Sequence, residues 1–154
     1  MAQALAAARE ALAAGEVPVG AVVWRAEGVI AVAGNRRRRD LDPSAHAEIV
    51  ALREAARQLG DWRMPAGVWV TVTLEPCPMC AYCLREARVT GVSYGADDPQ
   101  RGAAGSLYHL LGDSRLGPAV TVLGGYQAEE AQALLDRFFA ARRGSLGGGV
   151  SEPG

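Results

Sequence analysis

The stretch LEPCPMCAYC, Leu74 to Cys83, holds every cysteine of the chain. Cys77 and Cys80 are separated by two residues, Cys83 repeats that spacing, and Pro76 and Pro78 flank the first thiol. Proline suits the first position of a helix, where its missing N–H is not needed. Pro78 therefore predicts a helix starting there, with Cys77 as N-cap and Cys80 in the first turn. Two thiols so spaced at a helix start face one side, and the positive end of the helix dipole favours their thiolate forms. That is half of a tetrahedral zinc site, although a C-x-x-C pair serves equally as a thiol–disulfide couple or part of a closed structural zinc. Cys83 lies one turn further on, about 5 Å along the axis, and reads as a packing thiol rather than a fourth ligand.

The chain has two histidines, His46 and His109. His46 stands in PSAHAEIVAL, at the start of the preceding predicted helix, with Glu48 two residues on. Side chains two apart on a helix point about 200° from one another, so both can address one ion only over the helix end. Two helix N-termini must then meet. Ligands from His46, Cys77 and Cys80 leave a fourth position for water, the arrangement of a catalytic zinc, with Glu48 beside it as an unligated acid–base group. His109 has no partner motif and reads as a surface or packing residue.

The elements that must position these groups follow from periodicity. Ala2 to Ala14 predicts a helix. VGAVVW and GVIAVAG predict two strands around a turn at Glu27-Gly28, and Ala45 to Leu59 a helix with Ser44 as its N-cap. VWVTVTL (Val68 to Leu74) predicts a strand leading into the helix from Pro78 to about Arg88. TGVSYGA predicts another strand, then come a short helix near Leu107, a strand at AVTVL and a last helix from Gln127 to Arg143. Strands alternating with helices argue for an α/β layered domain with a mixed or parallel sheet. One domain over 1–143 accounts for the chain, and the Gly-rich residues 144–154 predict a flexible tail.

Composition narrows the setting. Hydrophobic residues make up 49% and charged residues 21%, with no apolar run near the roughly 18 residues of a membrane span, so no membrane partner is expected. The N-terminal residues lack the order of a signal peptide, which with three clustered cysteines predicts a reducing cytoplasm. A net charge of −1 gives no global attraction for nucleic acid, so any such binding must be local. All 16 basic residues are arginine, and alanine and glycine are abundant, a bias that reads as the mark of a GC-rich genome. Four of those arginines form the run Arg36 to Arg39.

The pair HAE and PCPMC resembles the H-x-E…P-C-x-x-C signature of zinc-dependent nucleobase deaminases. EVPVGAVV, Gly34-Asn35, DPSAHAEIVALR, TLEPCPMC, GAAGSL and RFFAARR follow in the order and spacing of bacterial tRNA-specific adenosine deaminases, from about Glu16 to Arg143. The zinc signature specifies only the superfamily; the GAAGS loop and the terminal FF…RR carry the narrower resemblance. It implies a three-layer α/β/α cytidine-deaminase-like fold with a five-stranded mixed sheet, a homodimer, one zinc ion per chain on His46, Cys77 and Cys80, and no organic cofactor. It further implies hydrolysis of adenosine to inosine at the wobble position of an arginine tRNA, in its anticodon stem-loop, with Glu48 carrying protons. On the same resemblance Asn35 bonds the target base, Val17 walls the pocket, Asp98 contacts the flanking ribose, and Arg142 and Arg143 are candidate tRNA contacts. The run Arg36 to Arg39, beside the expected pocket, is a further candidate. Tyr82 and Cys83 depart from the family by replacing two small residues, and Asp97 stands where a basic residue is common. Two rivals remain: a free-base deaminase of guanine or cytosine, and a non-catalytic zinc RNA-binding module closed by Cys83 or His109.

Overall fold

The structure, a computed structural model, describes residues 1–145. Its elements are α1 (Ala2–Ala13), β1 (Gly20–Arg25), β2 (Gly28–Gly34), α2 (Ala47–Leu59), β3 (Trp69–Leu74), α3 (Pro78–Glu86), β4 (Gly91–Ala96), a 3₁₀ turn (Ser114–Leu116), β5 (Thr121–Leu123) and α4 (Ala128–Ser145). The strands form one sheet in the order β2-β1-β3-β4-β5. β1 is antiparallel to both β2 and β3, whereas β3, β4 and β5 run parallel, so the sheet is mixed as expected. Helices α1 and α4 pack on one face and α2 and α3 on the other, giving three layers. Among the described residues no helix is long and apolar enough to cross a membrane.

Both faces of the central strands are covered, which is why they read as continuous apolar runs. Ala21 and Val23 of β1 and Val70 and Val72 of β3 are buried, and Leu52, Ala55, Ala81 and Leu84 close over them from α2 and α3. On the other face α1 lies unusually near the sheet. A Cβ on Gly20 would overlap the Ala4 carbonyl oxygen and come within 2.8 Å of Ala8 N, and one on Gly34 would lie 2.9 Å from Ala7 O. The alanine stripe Ala4, Ala7, Ala8 and Ala11 is buried in that seam. At least here, the abundance of alanine and glycine has a packing role beyond genome bias.

Several boundaries differ from expectation for local reasons. Ser44 does not cap α2: its N–H and hydroxyl both donate to Asp42 Oδ1, at 2.8 and 2.7 Å, closing a turn instead. The helix begins two residues later than predicted, with His46 as its N-cap, and ends on Gly60 in the left-handed region. The hairpin turn sits at Ala26-Glu27, because Arg25 pairs with Gly28. No helix forms near Leu107, where the chain makes an isolated bridge between Ala104 and His109. Helix α4 runs through Ser145, two residues past the expected boundary at Arg143. The remainder of the expected tail, 146–154, lies outside the described residues.

The long connection from β4 to β5 is held by charge instead of by regular structure. The buried Arg85 guanidinium on α3 donates to four carbonyls, those of Leu110, Leu111, Gly117 and Pro118, at 2.6 to 3.2 Å. Charge-assisted bonds of this kind are the strong ones.

Because the α1 seam has no room for a methyl group against backbone, Gly20→Ala should destabilise the fold by about 2 kcal/mol or more. Chemical denaturation measures it, and an unchanged midpoint would mean that α1 is not seated as described.

Candidate active site

Strands β2 and β3 are both antiparallel to β1 and therefore run the same way, and β4 is parallel to β3. Their C-terminal ends share one edge of the sheet, where ligands of open α/β sheets gather. Asn35 follows β2 at this edge, Glu75 to Cys77 follow β3, and Asp97 and Asp98 follow β4. Helices α2 and α3 both start here.

Their two N-caps, His46 and Cys77, face each other. His46 Nδ1 lies 3.6 Å from Cys77 Sγ and 3.4 Å from Cys80 Sγ, and all three ligand atoms fall within 4.8 Å of one another. A tetrahedral zinc with ordinary Zn–N and Zn–S bonds places N and S about 3.5 Å apart, so the group fits one zinc ion per chain. Among the described residues the group includes neither Cys83, which packs against the core, nor the exposed His109. It supplies three protein ligands.

The two thiols and the imidazole shift one another's titration. The Cys80 thiol first, then His46, pull the pKa of Cys77 down to about 4, and the same contact with Cys77 pushes Cys80 up. A hydrogen bond to the Cys77 sulfur raises His46. Glu48 is only 4% exposed, and burial pushes its carboxyl up, favouring the protonated form. A carboxyl so placed accepts a proton more readily than an exposed one and can serve as an acid–base group.

A cavity of about 750 Å³ opens over this group, and Val17, Asn35, His46, Glu48, Cys77 and Asp98 all line it. Cys80 lies beneath, fully buried. The Asn35 side-chain oxygen accepts from Arg37 N at 3.0 Å, which turns its amide hydrogens elsewhere. Of the arginine run only Arg37 lines the cavity. Arg36 is paired with Asp40, Arg38 donates to the Gly15 carbonyl, and the backbone at Arg38 and Arg39 is fixed by the buried Glu16 carboxylate at 3.2 and 2.7 Å. Helix α4 reaches the cavity through Gln132, Leu135 and Phe139, whereas Arg142 and Arg143 do not line it, and the Arg142 guanidinium sits 4.8 Å over the Phe138 ring. Tyr82, the bulky departure, is 48% exposed and does not line the cavity.

Sequence reasoning missed Glu16 and Glu75, both buried and both collecting backbone N–H groups from distant loops. Their only local signal is a carboxylate leading into an apolar stretch within two residues of a proline.

Residues 1–96 match the family described as the cytidine and deoxycytidylate deaminase zinc-binding region. The chain is 41% identical over 143 residues to the tRNA-specific adenosine deaminase of Bacillus subtilis, covering 93% of this chain and 88% of that protein. It is 46% identical over 144 residues to a tRNA(Ile)-lysidine synthase of Deinococcus radiodurans, of which it spans only 24%. A solved structure from studies of A-to-I editing by tRNA:A34 deaminases at the wobble position superposes with a TM-score of 0.84 at 41% identity, covering 88% of this chain and 97% of that one. A guanine deaminase from Nitrosomonas europaea superposes with a TM-score of 0.78 at 25% identity, covering 90% and 82%.

Metal analysis of purified variants separates the ligands from their neighbours. His46→Ala and Cys80→Ala should lose the ion, whereas Glu48→Ala and Cys83→Ala should keep close to the wild-type content. Metal loss in the Cys83 variant equal to that in the Cys80 variant would mean a closed, four-ligand site.

Proposed function

Because the chain belongs to the family of the cytidine and deoxycytidylate deaminase zinc-binding region, we propose that it hydrolyses adenosine to inosine at the wobble position of a tRNA anticodon. The observation that carries this reading is a three-ligand metal group with a buried glutamate on the floor of an open cavity, in a chain 41% identical to a tRNA-specific adenosine deaminase over 93% of its length. A zinc ion held by His46, Cys77 and Cys80 would supply Lewis-acid activation of water at neutral pH.

The chain's own residues do the rest. Glu48 takes a proton from the attacking water and delivers it to N1 of the adenine ring; it then takes the proton of the hydroxyl formed on C6 and passes it to the amine, which leaves as ammonia as the C6 carbonyl forms. Its buried carboxyl suits both directions of transfer. Asn35, with its oxygen committed to Arg37, offers N–H donors to an acceptor on the base. Val17 packs against the ring, Asp98 accepts from the flanking ribose, and amide groups at the start of α3 face the charge that develops at C6. An arginine tRNA is the expected species, by family resemblance alone. We take residues 1–143 as the deaminase domain, working as a cytoplasmic homodimer, with Arg142 and Arg143 meeting tRNA outside the cavity.

The guanine deaminase likeness supports the free-base alternative less strongly, at 25% identity against 41%. The two readings differ in what must bind. A chain of net charge −1 holds RNA through few cations, so activity on an anticodon stem-loop should fall steeply with salt. Since Arg36 and Arg38 are engaged within the protein, Arg37→Ser alone should produce most of the flattening of that salt dependence expected from replacing all four arginines, with a raised KM and little change in zinc content. Glu48→Ala should lower kcat by about 100-fold or more. Comparable efficiency on free adenosine or guanine, or salt-independent turnover of the stem-loop, overturns the tRNA reading.

A further inference from the structure

The GAAGS segment marks the family resemblance, but the chemistry above gives it no task. It wraps around Glu75. That side chain is 2% exposed and stands two residues before the ligand Cys77. One carboxylate oxygen accepts the N–H groups of Ala104 and Ser106, at 3.1 and 3.0 Å. The other accepts Asp98 N at 2.9 Å and the Ser106 hydroxyl. Gly102 must be glycine for this wrap, since a Cβ there would overlap the Glu75 carboxylate. Ala103 N donates to the Pro76 carbonyl at 2.8 Å, tying the loop to the backbone just before the metal ligand.

The Asp98 end of this loop is cavity wall. Asp98 Oδ1 accepts from the N–H groups of Gln100 and Arg101, at 3.1 and 3.2 Å, and residues 97–101 all line the cavity. No regular secondary structure holds that wall; the Asp98 N–H meets the same buried anion as those of Ala104 and Ser106, and the Asp98 carboxylate closes the turn that follows.

We propose that Glu75 is a positioning residue for substrate recognition: it fixes the wall 98–106 relative to the metal strand-helix junction, and so sets where the nucleotide next to the target is received. The proposal rests on the tRNA reading above. Glu75→Gln isolates the effect, because it keeps the volume and replaces one acceptor oxygen with a donor. The new amide hydrogens then oppose either Asp98 N–H or the two N–H groups of Ala104 and Ser106. Only the Ser106 hydroxyl can turn to accommodate them.

The experiment compares wild type, Glu75→Gln, Gly102→Ala and the control Arg85→Gln. The control releases the same connection at its other end, away from the cavity. Zinc content, thermal midpoint, amide exchange and steady-state kinetics on the stem-loop are read for each. Glu75→Gln should keep its zinc and a kcat within about threefold of wild type, raise KM on the order of tenfold, and lose exchange protection at Asp98, Ala104 and Ser106. Gly102→Ala should show the same split, with less than additive effects when the two are combined. Arg85→Gln should lower the thermal midpoint without moving KM. A wild-type KM in Glu75→Gln, or an equal KM rise in Arg85→Gln, overturns the proposal while leaving the tRNA reading intact. A wild type inactive on the stem-loop overturns the reading, and with it the role of Glu75 toward this substrate, whatever the exchange data show.

Discussion

A ring nitrogen 3.4 and 3.6 Å from two sulfurs is a contact between the first residues of two helices, and much of the architecture follows from it. For two helix starts to meet, the strands that precede them must end at the same edge. Reversing direction twice, from β2 to β1 and from β1 to β3, achieves this with one strand between. The third strand end, that of β4, then falls beside them because β4 is parallel to β3. Three strand ends and two helix starts enclose the cavity, and the antiparallel half of the sheet exists to bring His46 to Cys77.

Several charges in the loops behind and beside that cavity are spent on the protein itself. Glu16 and Glu75 are consumed by backbone amides, and Arg36, Arg38 and Arg85 by a carboxylate or by carbonyls. A chain with nearly balanced charge can therefore be rich in ionic contacts and still present few free ones to a polyanion. Recognition in such a site depends on shape and placed acceptors more than on field strength.

The metal group was legible because its signals are local. The proline after Cys77, the two-residue gap to Cys80 and the position of His46 before an amphipathic helix each fix a side chain relative to a helix end. The strands were legible for the same reason. What escaped was decided by partners far along the chain. Ser44 looked like a cap, but Asp42 claimed its hydrogens first. The residues near Leu107 have helix-forming neighbours, yet the amides of Ala104 and Ser106 are drawn off by Glu75, some thirty residues upstream, and those of Leu107 and Tyr108 turn back to the Gly102 carbonyl. No periodicity reports a carboxylate that gathers N–H groups across such a separation.

The connection between β4 and β5 is held at one end by an anion that gathers N–H groups and at the other by a cation that gathers carbonyls. Both anchors belong to the elements on either side of the metal strand-helix turn, and residues 107–109 between them are exposed. A loop secured only at its roots places few demands on its crown. Substitutions or insertions at the crown can accumulate without passing strain to the ligands, so lineages that share the metal chemistry are free to diverge there in whatever surface they present.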